Sequence, residues 1–320
     1  MKSILLTSTA LVAFAGAAAA DVSLSGSAEA VYNDAAGYST NVDAALTLTQ
    51  ALDNGLTASA SMDLTTGGIS FGDITVSGEN ASVTFGTGLN GAAYSAVSDT
   101  IGVGVGEEGI AEGVTGMFAV SGATVYLSIP SSFDTDAMEV GVTTDLGGWA
   151  VGAGVAGSDF VATAAGNAGG ADIAVAFGTV ADVSRWDLSV SYPVGAVTVS
   201  FDTDDSEAWT VGVAYAADGI SAGLEYNSDE TYEITAGYTM GDVTVGAGFN
   251  DASAFKVNVG YTMDALYVEA GMTYAEETYV IAKYDLGGGA SVTASYADAA
   301  DIDTGEDMMA GTTVKLGFTF

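Results

Sequence analysis

The 320-residue chain has no cysteine, no histidine and two prolines, and its five Lys and Arg stand against 41 Asp and Glu. Without cysteine there is no disulfide framework and no thiol chemistry. Without histidine the commonest general base and transition-metal ligand is gone. Long apolar runs are missing too: beyond residue 20 none approaches the roughly 20 residues that a membrane-spanning helix needs. Yet 49% of the residues are hydrophobic and the mean hydropathy is positive. The apolar content must therefore be divided among many short segments.

Those segments alternate. In 220–226, Ile220, Ala222, Leu224 and Tyr226 share one phase and Ser221, Gly223 and Glu225 the other. Tyr232, Ile234, Ala236 and Tyr238 repeat the pattern, as do Val243, Val245, Ala247 and Phe249, then Phe255, Val257, Val259 and Tyr261. A period of two gives each strand one apolar and one polar face. Asp218-Gly219, Gly241-Asp242 and Gly287-Gly288-Gly289 separate the segments, and such residues accept the positive dihedrals of tight hairpins. The expectation is a meander of antiparallel strands. Both prolines, Pro130 and Pro193, fall at predicted strand ends, where a missing amide donor costs least.

The connections fall into two kinds. Short ones such as Asp53-Asn54-Gly55, Gly147-Gly148 and Gly195 carry little charge. Those of the other set carry acids: Asp204-Asp205-Ser206-Glu207, Asp229-Glu230, Glu276-Glu277 and the stretch from Asp298 to Asp307. Short turns on one side and longer loops on the other describe an outer-membrane barrel. Turn signals in the second half suggest about a dozen strands of the ~9–11 residues a tilted membrane strand needs, and about 22 in the whole chain. The fold expected is all-β, a transmembrane antiparallel β-barrel of meander topology with an even strand number of 16 or more. Such a ring has an open lumen, because side chains alone fill only barrels of about eight strands.

The ends agree with this expectation. Met1 and Lys2 open a short basic start, Ile4 to Ala15 is mostly apolar and Ala18-Ala19-Ala20 precedes Asp21, so residues 1–20 read as a removed signal peptide and 21–320 as the barrel. The last residues alternate Val314, Leu316, Phe318 and Phe320 against Thr313, Lys315, Gly317 and Thr319.

Three stretches carry a family resemblance: AGAAAADVSLSG from Ala15 to Gly26, GDITVSGENASVTFGTG from Gly72 to Gly88 followed by a long loop, and the C-terminal GTTVKLGFTF. In these the chain resembles the general porins of alphaproteobacteria. That resemblance implies a 16-stranded barrel, a homotrimer and passive diffusion of small hydrophilic solutes. It also implies that the terminal strand with Phe318 and Phe320 is read by the barrel assembly machinery, and that the loop of residues 88–113 narrows the pore. That loop carries Asp99, Glu107, Glu108 and Glu112, a candidate acidic constriction that would attract cations in a confined channel. The same acids also fit an external loop whose carboxylates are solvated.

In the resembled family basic residues face the acidic loop, and here almost none exist. After residue 20 the Lys and Arg are Arg185, Lys256, Lys283 and Lys315. Phase places all four inward, since Arg or Lys facing lipid at mid-bilayer costs about 2–4 kcal/mol. With Glu29, Asp63, Asp187, Glu225 and Glu269 they form the candidate pore lining. Local pairing of each cation with an acid is the plainer reading of them. The acid excess also fits a saline habitat, but lumen acids would line a channel whatever the habitat.

No cofactor is expected, although alternating carboxylates at Asp301, Asp303 and Asp307 could wrap calcium. Gly102-Val103-Gly104-Val105-Gly106 lacks the Lys-Ser/Thr of a phosphate loop, and no carboxylate pair stands out as glycosidase-like, so no enzyme is expected. The expected partners are outer-membrane lipid, lipopolysaccharide, further copies of the chain and the assembly machinery, with no nucleic acid. The function expected is a porin that prefers cations. The alternative is a secreted or surface structural β-protein of adhesin or surface-layer type, although the unequal spacings do not suit a solenoid. A substrate-specific channel is narrower still: Tyr267 and Tyr279 are two lumen-phase aromatics, too few for a sugar track.

Overall fold

The computed structural model describes residues 21–52, 54–97, 112–132, 137–300 and 309–320. In chain order the strands of the first half are β1 (Asp21–Asn33), β2 (Gly37–Ala51), β3 (Thr57–Thr65), β4 (Gly68–Ser77), β5 (Ala81–Gly86), β6 (Gly113–Val120), β7 (Ala123–Pro130), β8 (Glu139–Asp145), β9 (Trp149–Ala156), β10 (Asp159–Ala168) and β11 (Ala171–Val180). The second half comprises β12 (Val183–Val194), β13 (Val197–Asp204), β14 (Trp209–Ala217), β15 (Ile220–Asn227), β16 (Tyr232–Met240), β17 (Val243–Asn250), β18 (Phe255–Met263), β19 (Leu266–Met272), β20 (Thr278–Gly287), β21 (Ala290–Ala297) and β22 (Gly311–Thr319). Among the described residues one short helix, α1 (Ala92–Val97), lies between β5 and β6.

Each strand pairs antiparallel with the next, and β22 pairs with β1 from Ser27↔Thr319 to Asn33↔Thr313. The result is a closed 22-stranded meander. Beyond the last strand residue the Phe320 N–H donates to the Gly26 carbonyl at 3.0 Å, and the Phe320 carbonyl accepts the Gly26 N–H at 2.9 Å, so pairing continues to the chain end. Closure leaves no open sheet edge. The even strand number matches the sequence expectation, and 22 replaces the 16 that the family resemblance implied.

Alternation sorts the faces. Trp186, Leu224, Ile234, Val259 and Val280 stand on one phase and remain open to the surroundings. Asn33, Thr163, Glu269, Thr293 and Thr313 stand on the other and are buried. Closing a sheet converges side chains on its concave face and splays them on its convex face, so the polar phase is the inner one. Two irregularities interrupt the period. In β4 the register shifts between Ala60 and Met62 of β3, so Phe71 and Ile74 both reach the convex face, 80% and 55% exposed, across Gly72-Asp73. In β20 it shifts between Asp285 and Gly287.

Both chain termini of the barrel lie at one rim, with connections such as 121–122, 146–148, 169–170, 195–196, 218–219, 241–242, 264–265 and 288–289. Asp218 and Gly219 there have φ of 52° and 78°, the two positive dihedrals of a type I′ hairpin turn. From the opposite rim start the connections that follow β5, β7, β13, β15, β17, β19 and β21. It also carries tight turns at 66–67, 157–158 and 181–182, so the loop side is more uneven than the sequence suggests.

Candidate pore lumen

The inner phase differs around the ring. From β13 to β1 it presents mainly hydroxyls, glycines and charged groups, among them Asp202, Glu225, Glu233, Lys256, Glu269, Lys283, Lys315 and Glu29. Asp63 of β3, and Arg185 and Asp187 of β12, keep the same phase. These residues share one strand phase, the phase of buried Glu269, Thr293 and Thr313.

Arg185 and Lys256 each meet an acid. Arg185 reaches outward along the rim to Asp205 at 3.4 Å, half exposed, so it belongs to the loop-side mouth rather than to the middle of the lumen. Lys256 reaches Glu233 at 2.7 Å, although β17 lies between their strands. Gly248 of β17 makes this possible. A Cβ there would stand 2.7 Å from Lys256 Cε and collide with the Tyr274 hydroxyl. Tyr274, from the 273–277 loop, donates its hydroxyl to the same Glu233 oxygen at 2.7 Å, and the Lys256 ammonium lies 4.8 Å from its ring centroid. Desolvation, with the hydrogen bond to Glu233, holds the Tyr274 phenol above its usual pKa.

On β19 and β20, Glu269 is 8% exposed and accepts from the hydroxyls of Tyr267 and Tyr279, the latter at 2.6 Å. Asn258 of β18 donates to it at 3.5 Å. A buried carboxylate needs such donors, because leaving it unsatisfied costs several kcal/mol. Tyr279, Ile281 and Ala297 form a small buried cluster beside it, with Tyr267 packed on top. The two lumen-phase tyrosines of the sequence therefore serve a carboxylate.

The inner face of β7 to β11 is of another kind. Here α1 lies against β7, β8, β9 and β10 inside the ring. Beneath it the inner phase is Gly141, Gly152, Gly154, Val161 and Ala176, and Ala93 and Ala96 of the helix are buried on Val161 and Ala176. A Cβ on Gly154 would stand 2.7 Å from the Ala93 carbonyl oxygen, and one on Gly141 2.6 Å from Ala96 Cβ. At the start of the helix the Ala92 amide donates to Ser128 Oγ at 3.1 Å and the Ala93 amide to Glu139 Oε2 at 3.0 Å. Glu139 and Ser128 are 3% and 0% exposed. Thr163, also buried below α1, has a hydroxyl with no hydrogen-bond partner among the described residues. Half the 22-stranded ring away from β8 and β9, in either direction, stand β19 and β20 with the Glu269 cluster.

Of the predicted constriction acids only Glu112 is described, exposed at the loop's return, its carbonyl accepting the Ser131 amide at 2.8 Å. Asp99, Glu107 and Glu108 lie outside the described residues, as do Asp301, Asp303 and Asp307. Among the described residues no group of three carboxylates is arranged to hold a metal ion. Phe318 and Phe320 stand on the convex face, 44% and 51% exposed. Sequence reasoning missed Ser128, Glu139 and Tyr274. The one signal for them was Glu139 at the head of an otherwise uncharged EVGVTT run.

No protein-family model and no curated protein matches the chain. Among solved structures, a triple mutant of Rhodopseudomonas blastica porin is similar at 16% identity, covering 94% of this chain and 100% of its own, with a TM-score of 0.32. The trimer form of OmpT, an outer membrane protein of Vibrio cholerae, is similar at 11% identity over 94% and 100%, also at 0.32. At that TM-score neither likeness bears on function; the barrel's own geometry does.

Proposed function

We propose that the protein is an outer-membrane porin, a water-filled channel for passive diffusion of small hydrophilic solutes and ions that prefers cations. One observation carries this: a closed ring whose convex phase is apolar and whose concave phase is polar and acidic, with α1 the described segment that enters it. A convex apolar face suits hydrocarbon, and a concave phase with Glu225 and Glu29 suits water and cations. No catalytic role is assigned to any residue. The sequence supports the rest of the reading: residues 1–20 as an export signal, Phe318 and Phe320 as the assembly signal, and a homotrimer contacting lipid and lipopolysaccharide. It also supports Asp99, Glu107, Glu108 and Glu112 as a further acidic screen on the loop that α1 begins, and calcium at Asp301, Asp303 and Asp307 as an accessory.

Planar-bilayer recording in a potassium chloride gradient tests the reading. Discrete channels with a reversal potential of the sign for potassium preference are expected. No channel, or one preferring chloride, rejects it. A surface-layer protein would also leave the membrane with chelator, whereas a barrel needs detergent.

A further inference from the structure

The resident of the lumen that most needs explaining is α1, and the group that most needs explaining is Glu139. A helix of six residues is too short to hold itself together in water. It persists because the barrel wall is shaped to receive it. Gly141, Gly152 and Gly154 leave room for its backbone, and Val161 and Ala176 supply apolar contact for Ala93 and Ala96. Those features fix where the helix lies but not how it stays, since small apolar contacts are weak and non-directional. The directional contacts are at the first turn, where two amides that an α-helix cannot satisfy internally are taken by Ser128 and Glu139.

Glu139 is an expensive choice for that position. A carboxylate 3% exposed has lost nearly all its water, and the inner-wall groups beside it under α1, Gly141, Gly152, Gly154, Val161 and Ala176 with the hydroxyls of Ser128 and Thr163, carry no charge. A charged acceptor is worth roughly twice a neutral one, and it also meets the positive end of the helix dipole. Gly91, just before the helix, packs so close that a Cβ there would collide with the Glu139 carboxylate. The carboxylate is thus enclosed by the backbone of the segment that it holds.

We infer that Glu139, with Ser128, is the positioning residue of the pore: it fixes α1 to the inner wall of β7 and β8 and thereby sets the open cross-section and its steadiness. This rests on the pore reading above. In the native channel α1 is anchored at its first turn, and the channel conducts without flicker from movement of the helix. With the carboxylate removed, the Ala93 amide loses its acceptor and the segment leaves the wall intermittently.

The test records single channels of the wild type, Glu139→Ala, Glu139→Gln and Ser128→Ala in planar bilayers, and measures the size cut-off for neutral polyethylene glycols. Folding is checked for each by heat-dependent mobility in detergent gels. Glu139→Ala is expected to raise open-channel noise several-fold and to shift the polymer cut-off. Glu139→Gln, which keeps one acceptor oxygen, should fall between it and the wild type, and Ser128→Ala should show a smaller effect of the same kind. Wild-type noise and cut-off in folded Glu139→Ala overturn the inference while leaving the pore reading intact, as does a Glu139→Gln channel noisier than Glu139→Ala. If Glu139→Ala does not fold, Ser128→Ala decides, and its indistinguishability from wild type overturns the inference. Absence of any channel from the wild type instead overturns the pore reading.

Discussion

The wall under α1 and the wall half a ring away obey the same strand geometry with opposite chemistry. Under α1 the inner phase of β8 to β11 offers Gly141, Gly152, Gly154, Val161 and Ala176 beside the buried Glu139 and Thr163; the inner phase of β15 to β20 includes Glu225, Glu233, Lys256, Glu269 and Lys283. What lies against each explains the difference. A helix backbone needs room and apolar contact, whereas water needs partners and tolerates charge. Even the buried acids follow this division. Glu269 is held by side-chain hydroxyls of its own wall, and Glu139 by a backbone amide of the segment it carries.

The sharpest way to break the comparison is to add one methyl to each wall. Gly154→Ala sets a Cβ 2.9 Å from Ala93 Cα, and backbone must move; overpacking of this sort costs about 1–3 kcal/mol. Gly246→Ala on β17 meets the side-chain amide of Asn258, which can rotate away. The temperature of the heat-dependent gel shift should drop clearly for the first and little for the second. Equal drops would mean that α1 places no special demand on its wall.

Selectivity offers the next contrast. Neutralising Glu225 and Glu269 to Gln should reduce the preference for potassium over chloride, read as a smaller reversal potential. If that pair changes nothing while Glu107→Gln with Glu108→Gln does, selectivity belongs to those two acids and not to the bare wall.

Smaller effects are expected at the rim. Tyr274→Phe removes a hydroxyl that Glu233 accepts, a loss of about 0.5–1.5 kcal/mol, and Lys256→Met removes a half-exposed ion pair worth about 0.2–1 kcal/mol. Denaturant midpoints should rank the two in that order. The smallest effect concerns pH. Hydrogen bonds from the Thr278 hydroxyl and amide, and from Tyr296, hold Asp298 below the ordinary aspartate pKa. A depressed carboxylate stabilises the fold above its unfolded pKa and loses that contribution as the pH falls through its folded value. Between neutral pH and about pH 4, near the ordinary aspartate pKa, Thr278→Val should be less stable than wild type. Below the folded pKa the two should converge, as followed by unfolding midpoints at each pH.

Strand existence, phase and even number were legible because the bilayer reading demands one apolar face from every strand, and Ile220 to Phe249 repeat that demand without exception. The inner wall was legible only where water meets it. Glycine and alanine at Gly152, Gly154 and Ala176 fit a hydrated wall, a lipid contact or a helix rest equally well, so the inward course of α1 left no periodic trace. The bulge at Gly72-Asp73 was hidden for a related reason: one extra residue exchanges the faces midway through β4, and FGDITV reads as a single alternating run broken once. Glu139 could not be read as an anchor because its partner amide comes from a segment 46 residues earlier.

The most direct measurement uses the absence of native cysteine. Single cysteines placed in turn from Lys256 to Tyr261 on β18, in detergent-free outer membranes, are treated with a water-soluble maleimide. Labelling at 256, 258 and 260 and protection at 257, 259 and 261 is the predicted result. Uniform labelling, or protection at 256 and 258 with labelling at 257 and 259, would contradict a ring with water inside and hydrocarbon outside.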